Sequence, residues 1–242
     1  MIKGDFIING VSGITDLNSV IEKYPNISMP KRKKTFQSVF GANRQVIEDE
    51  DAYDNRSIDL SIILHARDEE ERTMRLSALY SAFDSSNYLD FYYYGEPQYC
   101  YKVTNSEIVS TERIVRMSYY TRVTIKLSAE AFKYYNQGEE KVVPTTGATF
   151  FNRFKYESAP LIRVNDSGDI KFFINDQVFL FHNIPEGGCY IDCDEGQQDV
   201  YDLNDNLIND AYDVAQEFPK LPSGEITIKG ANLNVMPRFR TL

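Results

Sequence analysis

Hydrophobic and polar residues alternate over much of this chain with the period of two residues that β-strands show. Residues 58–66 begin with this alternation and then become continuously apolar, which predicts a strand covered on both faces. Residues 88–94 and 98–104 flank the turn sequence Gly95-Glu96-Pro97 and predict a hairpin. Residues 114–127, rich in Val, Ile, Thr and Tyr, predict one long strand. The pattern indicates a mainly β protein.

One segment has the period of an amphipathic helix instead. Its apolar stripe, at spacings of three and four residues, consists of Leu76, Leu79, Tyr80 and Phe83. Asp68 precedes the stripe and Glu71 follows Asp68 by three residues, a spacing typical of a capping box. The sequence therefore predicts one helix that begins after Asp68 and lies on a sheet.

The composition changes between residues 136 and 147, where polar residues, glycine and proline replace the periodic pattern. A stretch of this kind is typical of a domain boundary. The short strands predicted after it are 161–164, 170–174, 178–181, 190–193, 199–203, 226–229 and 233–236. Many short strands with turn residues between them indicate a β-sandwich or jelly roll. We therefore predict two domains, residues 1–140 and residues 141–242.

Composition and charge exclude several classes of protein. The 242 residues are 42% hydrophobic, as in a folded globular chain, and carry a net charge of −10. This charge repels phosphate groups, and the basic run Lys31–Lys34 is too short to reverse it, so we expect no direct DNA binding. Three cysteines form no disulfide framework, and neither a signal-peptide core nor a long apolar run is visible. We expect synthesis in a reducing cytoplasm and no membrane insertion.

Candidate catalytic and metal-binding residues are few. The histidines are His65, in an apolar strand, and His182, at a strand end, and neither sits in a catalytic motif. A zinc site from His182, Cys189 and Cys193 is conceivable, but four residues of strand would separate the two cysteines by about 13 Å. We therefore interpret the cysteines as small buried side chains.

An acidic stretch offers calcium ligands without the spacing of an EF-hand loop. Its members are Asp192, Asp194, Glu195, Asp199, Asp202 and Asp205. We interpret it as a solvated turn between strands. The sequence thus predicts no catalytic, cofactor-binding or metal-binding residues, and no enzyme.

Several motifs follow one another in the C-terminal half. Residues 150–154 (FFNRF) and 158–164 (SAPLIRV) precede the strand pair at 170–181. Residues 217–230 fit a "FP-L--G-N-I---G" pattern with Glu225 in place of its Asn, and residues 235–242 contain the run Pro-Arg-Phe-Arg just before the final Thr-Leu. Together these motifs resemble distal tail proteins of long-tailed phages and prophages of Gram-positive bacteria. Two N-terminal segments agree more loosely, residues 39–44 and 51–56.

The resemblance implies an N-terminal β domain with one helix and a long hairpin, followed by a galectin-like β-sandwich. It also implies a homohexameric ring at the virion tail tip, which joins the major tail tube protein to the tail-associated lysin or fibre protein. DNA would pass through the channel without specific binding. In some relatives the outer domain also docks receptor-binding proteins, which the sequence leaves open here. Residues 238–240 would close the second domain or tie it to the first.

The tyrosine content is consistent with an assembly surface. The chain has 17 tyrosines and no tryptophan, and Tyr residues are common at interfaces. Tyr92–Tyr94 and Tyr119-Tyr120 would alternate between two faces of a strand, one in the core and one at an interface. Strand propensity alone is an equal explanation. We also hypothesise that the acidic excess keeps the channel repulsive to DNA.

Two other functions remain as alternatives. A lectin-like module that recognises host cell-wall glycans is the first, because galectin-like sandwiches bind sugars beside an exposed aromatic ring with Arg, Asn and Glu around it. Tryptophan is absent and no such cluster is visible in the sequence. A cell-wall hydrolase is the second, although no carboxylate pair can be singled out.

Overall fold

The computed structural model describes residues 1–114, 119–136, 138, 140–213 and 216–242, with the backbone alone at 106, 108 and 109. Internal contacts divide the chain into two units, residues 1–133 with Leu242 and residues 134–241. The division into residues 1–140 and 141–242 stays a prediction of where two independently folding domains separate. No helix in the described part of the chain is long and apolar enough to cross a bilayer.

Unit 1 contains most of a large antiparallel sheet, one helix and a separate hairpin. Its elements are β1 (Phe6–Ile8), β2 (Val11–Ser12), β3 (Ser19–Ile21), β4 (Asn26–Ile27), β5 (Arg32–Ser38), β6 (Gln45–Tyr53), β7 (Arg56–His65), α1 (Glu69–Phe83), β8 (Leu89–Tyr93), β9 (Tyr99–Arg113) and β10 (Tyr120–Tyr135). The sheet runs β2-β1-β8-β9-β10-β7-β3, with β4 also paired to β7. Strands β5 and β6 pair only with each other among the described strands.

A long antiparallel pair in this sheet is β7 with β10, in register from Tyr120 opposite His65 to Ala129 opposite Arg56. Alternate residues of both strands face the core and are fully buried: Ile58, Leu60, Ile62, Leu64, Val123, Ile125 and Leu127. Because successive side chains of a strand point to opposite faces, the period-two pattern of the sequence places these apolar residues on one face of the sheet. The predicted strand at 58–66 is confirmed, but its coverage on both faces is not, because Asp59 and Ile63 on the second face are exposed and partly exposed, respectively. The predicted hairpin of β8 and β9 is confirmed, with Phe91 opposite Tyr101.

The predicted helix is confirmed together with its cap. The backbone N–H of Glu71 donates to the Asp68 carboxylate at 2.8 Å. The Glu71 carboxylate in turn accepts from the backbone N–H of Arg67, at 2.6 Å. Leu76, Leu79 and Phe83 are buried, so the apolar stripe of the helix faces the core of unit 1.

The prediction of one strand over residues 114–127 is wrong. β9 ends at Arg113 and β10 begins at Tyr120, and the backbone N–H of Ile114 donates to the Tyr120 carbonyl at 3.2 Å. The segment therefore reverses direction between two long strands, and residues 115–118 lie outside the described part. The sequence did not predict this reversal, because strand propensity reflects the type of side chain and not the direction of the chain.

Unit 2 consists of two facing sheets. Its strands are β11 (Lys141–Val143), β12 (Ala148–Asn152), β13 (Leu161–Val164), β14 (Gly168–Ile174), β15 (Gln177–Ile184), β16 (Cys189–Asp192), β17 (Asp199–Tyr201), β18 (Gly224–Lys229), β19 (Leu233–Met236) and β20 (Arg240–Thr241), with a short 3-10 helix at Asn209–Ala211. One sheet has the order β11-β19-β13-β16-β17 and the other β12-β18-β14-β15. All seven strands predicted after the boundary are present, two with the predicted ends (Leu161–Val164 and Leu233–Met236) and five with shifted ends, whereas β11, β12 and β20 were not predicted.

A single apolar core fills unit 2 between its sheets. The ring of Phe172 stacks on that of Phe181 at 5.8 Å, and Ile162 and Val164 are fully buried in the same cluster. A core shared by two antiparallel sheets is the defining feature of a β-sandwich. The predicted fold class, a β domain with one helix and a long hairpin followed by a β-sandwich, is confirmed.

The C-terminal residues close this sandwich. Arg238 binds both oxygens of Asp192 at 2.5 and 3.2 Å, and Arg240 binds Glu195 at 2.7 Å. Phe239, which lies between these two arginines in the sequence, is buried. The centroid of its ring is 6.5 Å from that of Phe150. The arginines and the phenylalanine of this motif therefore serve the packing and ion pairing of unit 2.

We predict that Asp68→Ala lowers the free energy of unfolding by about 1 kcal/mol, because the helix loses the acceptor for an otherwise unpaired N–H. Urea unfolding followed by circular dichroism measures the loss. Glu70→Ala is the matched control, since it removes an exposed carboxylate from the same helical turn. Equal effects of the two substitutions would contradict a specific capping role for Asp68.

Candidate assembly surface

The hairpin of β5 and β6 is the most exposed element of unit 1. Cross-strand pairs run from Arg32 opposite Tyr53, through Phe36 opposite Ile47, to Ser38 opposite Gln45. Residues 33–38 and 45–51 are all exposed. The nine residues of β6, at about 3.3 Å each, give a strand of about 30 Å. The hairpin is therefore a long arm whose two faces and outer edges are uncovered in the single chain.

Apolar side chains are concentrated in the outer half of this arm. Phe36 and Ile47 are 56% and 55% exposed on one face, and Phe40 in the connecting loop is fully exposed. Val46, opposite Gln37, is exposed on the other face, and Val39 is exposed just after the end of β5. An isolated two-stranded hairpin is marginally stable in water, and contiguous exposed apolar surface marks interaction sites. We call these five residues the apolar tip.

The base of the arm is fixed by Arg32. Its guanidinium binds the Asp49 carboxylate at 2.5 Å and donates to the Tyr53 hydroxyl at 2.8 Å, and it also binds Asp51. β6 bulges around Asp51, whose backbone is left-handed (φ 55°), so both carboxylates reach the same guanidinium. The hydrogen bond from Arg32 lowers the pKa of Asp49. The ring of Tyr53 packs edge-on against Phe132 of β10 at 5.6 Å, which anchors the arm to the sheet.

The histidines lie in different surroundings. His65 Nδ1 is 3.2 Å from the Asn18 amide nitrogen, and its ring lies 4.8 Å from that of Tyr120. His182 is half exposed, with Nδ1 3.5 Å from the Asp169 carboxylate. Among the described residues, neither histidine is hydrogen-bonded to a serine or cysteine.

The cysteines are buried thiols. Cys189 and Cys193 belong to the core of unit 2, and burial raises the pKa of Cys189 to about 12 and that of Cys193 well above its usual value. Such thiols are poor metal ligands and poor nucleophiles at neutral pH. Across the described residues, no three His, Cys, Asp or Glu side chains converge as a metal site would require.

The acidic stretch is held in turns and ion pairs. Asp202 accepts from the backbone N–H groups of Asn204 and Asn206 at 2.8 and 2.9 Å, and Asp194 accepts from Gly196 at 2.9 Å. The other members also have partners: Asp192 binds Arg238, Glu195 binds Arg240, Asp199 accepts from Tyr201 and Asn209, and the backbone N–H of Asp205 donates to the Asp202 carbonyl. These carboxylates shape the loop around β17.

The tyrosines divide between core and surface as the alternation requires. Tyr93 is buried and its ring lies 6.2 Å from that of Tyr101, whereas Tyr92 is half buried on the opposite face of β8. Tyr94 pairs with the ring of Tyr24 at 5.1 Å. Tyr119 is 55% exposed in the turn before β10. Which of the surface tyrosines contact another molecule stays a prediction.

Sequence reasoning missed the position and extent of the β5–β6 arm. A signal was present, because a basic run at residues 31–34 and an acidic run at residues 48–51 flank Gly41 at similar distances. Opposite charges on facing strands stabilise a hairpin. Gly41 adopts a left-handed backbone (φ 80°), as turn glycines do.

The sequence and the fold of this chain are similar to those of known phage tail proteins. Residues 13–129 match the model of the phage tail protein RIFT-related domain. The structure of Dit (gp 19.1) of phage SPP1, described as a paradigm of the hub adsorption apparatus in phages that infect Gram-positive bacteria, superposes with a TM-score of 0.73 at 14% identity, over 98% of this chain and 99% of that one.

Chains of the phage p2 baseplate in its activated conformation are also similar. The form with calcium gives a TM-score of 0.54 at 9% identity, over 97% of this chain and 98% of that one. The form with strontium gives 0.52 at 9% identity, over 96% and 97%. No curated protein sequence matches the chain. The resemblance to distal tail proteins is confirmed by the match of residues 13–129 to the model of the phage tail protein RIFT-related domain and by the fold that the whole chain shares with Dit of phage SPP1.

Proposed function

We propose that six copies of this chain close into a ring at the tip of a phage tail, and that the β5–β6 arm makes the contact between neighbouring copies. The observation that carries the proposal is the apolar tip, which a single chain leaves in water. Phe36, Phe40 and Ile47 lose this exposure when a neighbour covers them, and burial of apolar surface contributes about 25 cal/mol per Å².

The proposed ring is a hub between two parts of the tail. One side of it binds the major tail tube protein, and the other binds the tail-associated lysin or fibre protein that attaches to the host. The protein is made in the host cytoplasm and incorporated into the virion tail tip. The family and fold are those of structural phage tail proteins, which supports a geometric role without catalysis. The net charge of −10 supports a channel that DNA crosses without binding.

We predict that the purified chain, alone or mixed with the major tail tube protein, has the mass of six copies by light scattering and gives six-fold rings in negative-stain images. The double substitution Phe36→Ser and Ile47→Ser abolishes this species, because it removes the apolar contact. Phe151→Ser is the control, since Phe151 is 64% exposed in unit 2. A monomer under both conditions, or rings that survive the double substitution, would contradict the proposal.

A second candidate function, glycan recognition, has one observation in its favour. The solvent face of the sheet β11-β19-β13-β16-β17 carries the guanidinium of Arg163 5.0 Å above the ring of Tyr190, and Tyr201 is the cross-strand neighbour of Tyr190. Arg163 donates to the Asn165 amide oxygen at 3.3 Å, and Asn165 donates to Asn234 at 3.2 Å. We call these five residues the Arg163 platform. Fixed polar groups beside aromatic rings are suited to sugar hydroxyls and C–H faces.

This second function predicts that the chain binds cell-wall polysaccharide of a Gram-positive host on a glycan array. Arg163→Ala then weakens binding roughly tenfold, because a charged hydrogen-bond donor is lost. Arg153→Ala is the control, because Arg153 also stacks on a tyrosine, with its guanidinium 4.3 Å from the ring of Tyr135. Absence of glycan binding by the wild-type chain would exclude this function and leave the hub proposal unaffected.

A further inference from the structure

The two strands of the β5–β6 arm carry opposite charges. Residues 31–34, which lead into and begin β5, are Lys-Arg-Lys-Lys, and residues 48–51 of β6 are Glu-Asp-Glu-Asp. Three cations therefore lie along β5, with Lys31 just before them, and four carboxylates lie along β6. The charged segments occupy the half of the arm nearest the sheet, and the apolar tip occupies the other half.

Ion pairs within the arm involve only some of these charged side chains. Arg32 forms ion pairs with Asp49 and Asp51 at the base of the arm. Lys33 and Lys34 on β5, and Glu48 and Glu50 on β6, remain exposed side chains. They extend on both faces of a ribbon whose two outer edges pair with no other described strand.

The two outer edges of the arm therefore carry opposite charges. The free edge of β5 is lined by cations and the free edge of β6 by carboxylates. If two copies met through the same edge, blocks of like charge would face each other, which is destabilising across strands. If the β6 edge of one copy met the β5 edge of the next, opposite charges would face each other. Charge complementarity thus selects the second contact.

We infer that the acidic edge of β6 in one copy pairs with the basic edge of β5 in the next copy around the ring. This inference rests on the proposed ring and specifies the surfaces that close it. The contact is heterologous, so each copy offers one edge and receives the other. Such contacts generate closed rings, whereas a contact between identical edges generates a two-fold dimer. Segregated charge on the arm therefore excludes the competing dimer.

The inference predicts that ring assembly depends on charge in a reciprocal way. The basic-strand variant carries Lys33→Glu and Lys34→Glu, and the acidic-strand variant carries Glu48→Lys and Glu50→Lys. In each variant the side chains at positions 33, 34, 48 and 50 all carry the same sign, so the attraction between unlike edges is lost and each variant alone loses the six-copy species seen by light scattering at low ionic strength. An equimolar mixture regains it, because each variant supplies the edge that the other lacks.

A third protein separates contacts between copies from contacts within the arm. The four-site variant combines all four substitutions, which exchanges the charges at positions 33 and 34 with those at positions 48 and 50, and it assembles by itself. Circular dichroism of every variant confirms that the units are folded. If the four-site variant assembles and the mixture does not, the charges act only within the arm and the inference is overturned.

The remaining outcomes separate the inference from the proposed function. Basic-strand and acidic-strand variants that form wild-type rings by themselves would overturn the inference and leave the ring intact. A wild-type chain that never forms the six-copy species, alone or with the tube protein, would instead overturn the proposed function.

Discussion

The antiparallel pairing of β7 with β10 is the interaction on which unit 1 depends. It buries an unbroken apolar face from Ile58 to Leu64 on one strand and from Val123 to Leu127 on the other, and α1 packs into the same core. β6 ends only three residues before β7 begins, and its Tyr53 ring packs on Phe132 of β10. A rigid core therefore holds the base of the arm while its outer half extends away from that core.

The arm has the composition of an element whose partner is another molecule. Phe36 and Ile47 contribute no stabilisation while they are exposed to water in a single chain. In a hairpin without a partner we would therefore expect polar residues at these positions. Segregated charge adds direction to this apolar contact, because cross-strand attraction then favours unlike edges. Apolar burial supplies affinity in this account, and charge determines which edges meet. A closed ring requires both properties on one element.

The sequence predicts those features of the fold that local patterns determine. The cap at Asp68, the helix that follows it and strands such as Leu161–Val164 and Leu233–Met236 each depend on neighbouring residues, and the structure contains them. The reversal within 114–127 is different, since strand-forming residues continue through it. The arm was not located because its apolar residues, such as Phe36 and Ile47, remain exposed, so the arm lacks the one buried face that a period-two pattern reveals. The Arg163 platform joins residues 69 positions apart in the chain, as in the bond from Asn165 to Asn234, which no local pattern reveals.

Electron cryomicroscopy of the assembled protein, alone or on purified tails, tests the central claim most directly. Our account predicts a six-fold ring in which density for residues 32–53 of each copy lies against the next copy, with Phe36 and Ile47 covered. A ring in which these arms extend into solvent, with the contacts between copies made by other surfaces, would contradict it.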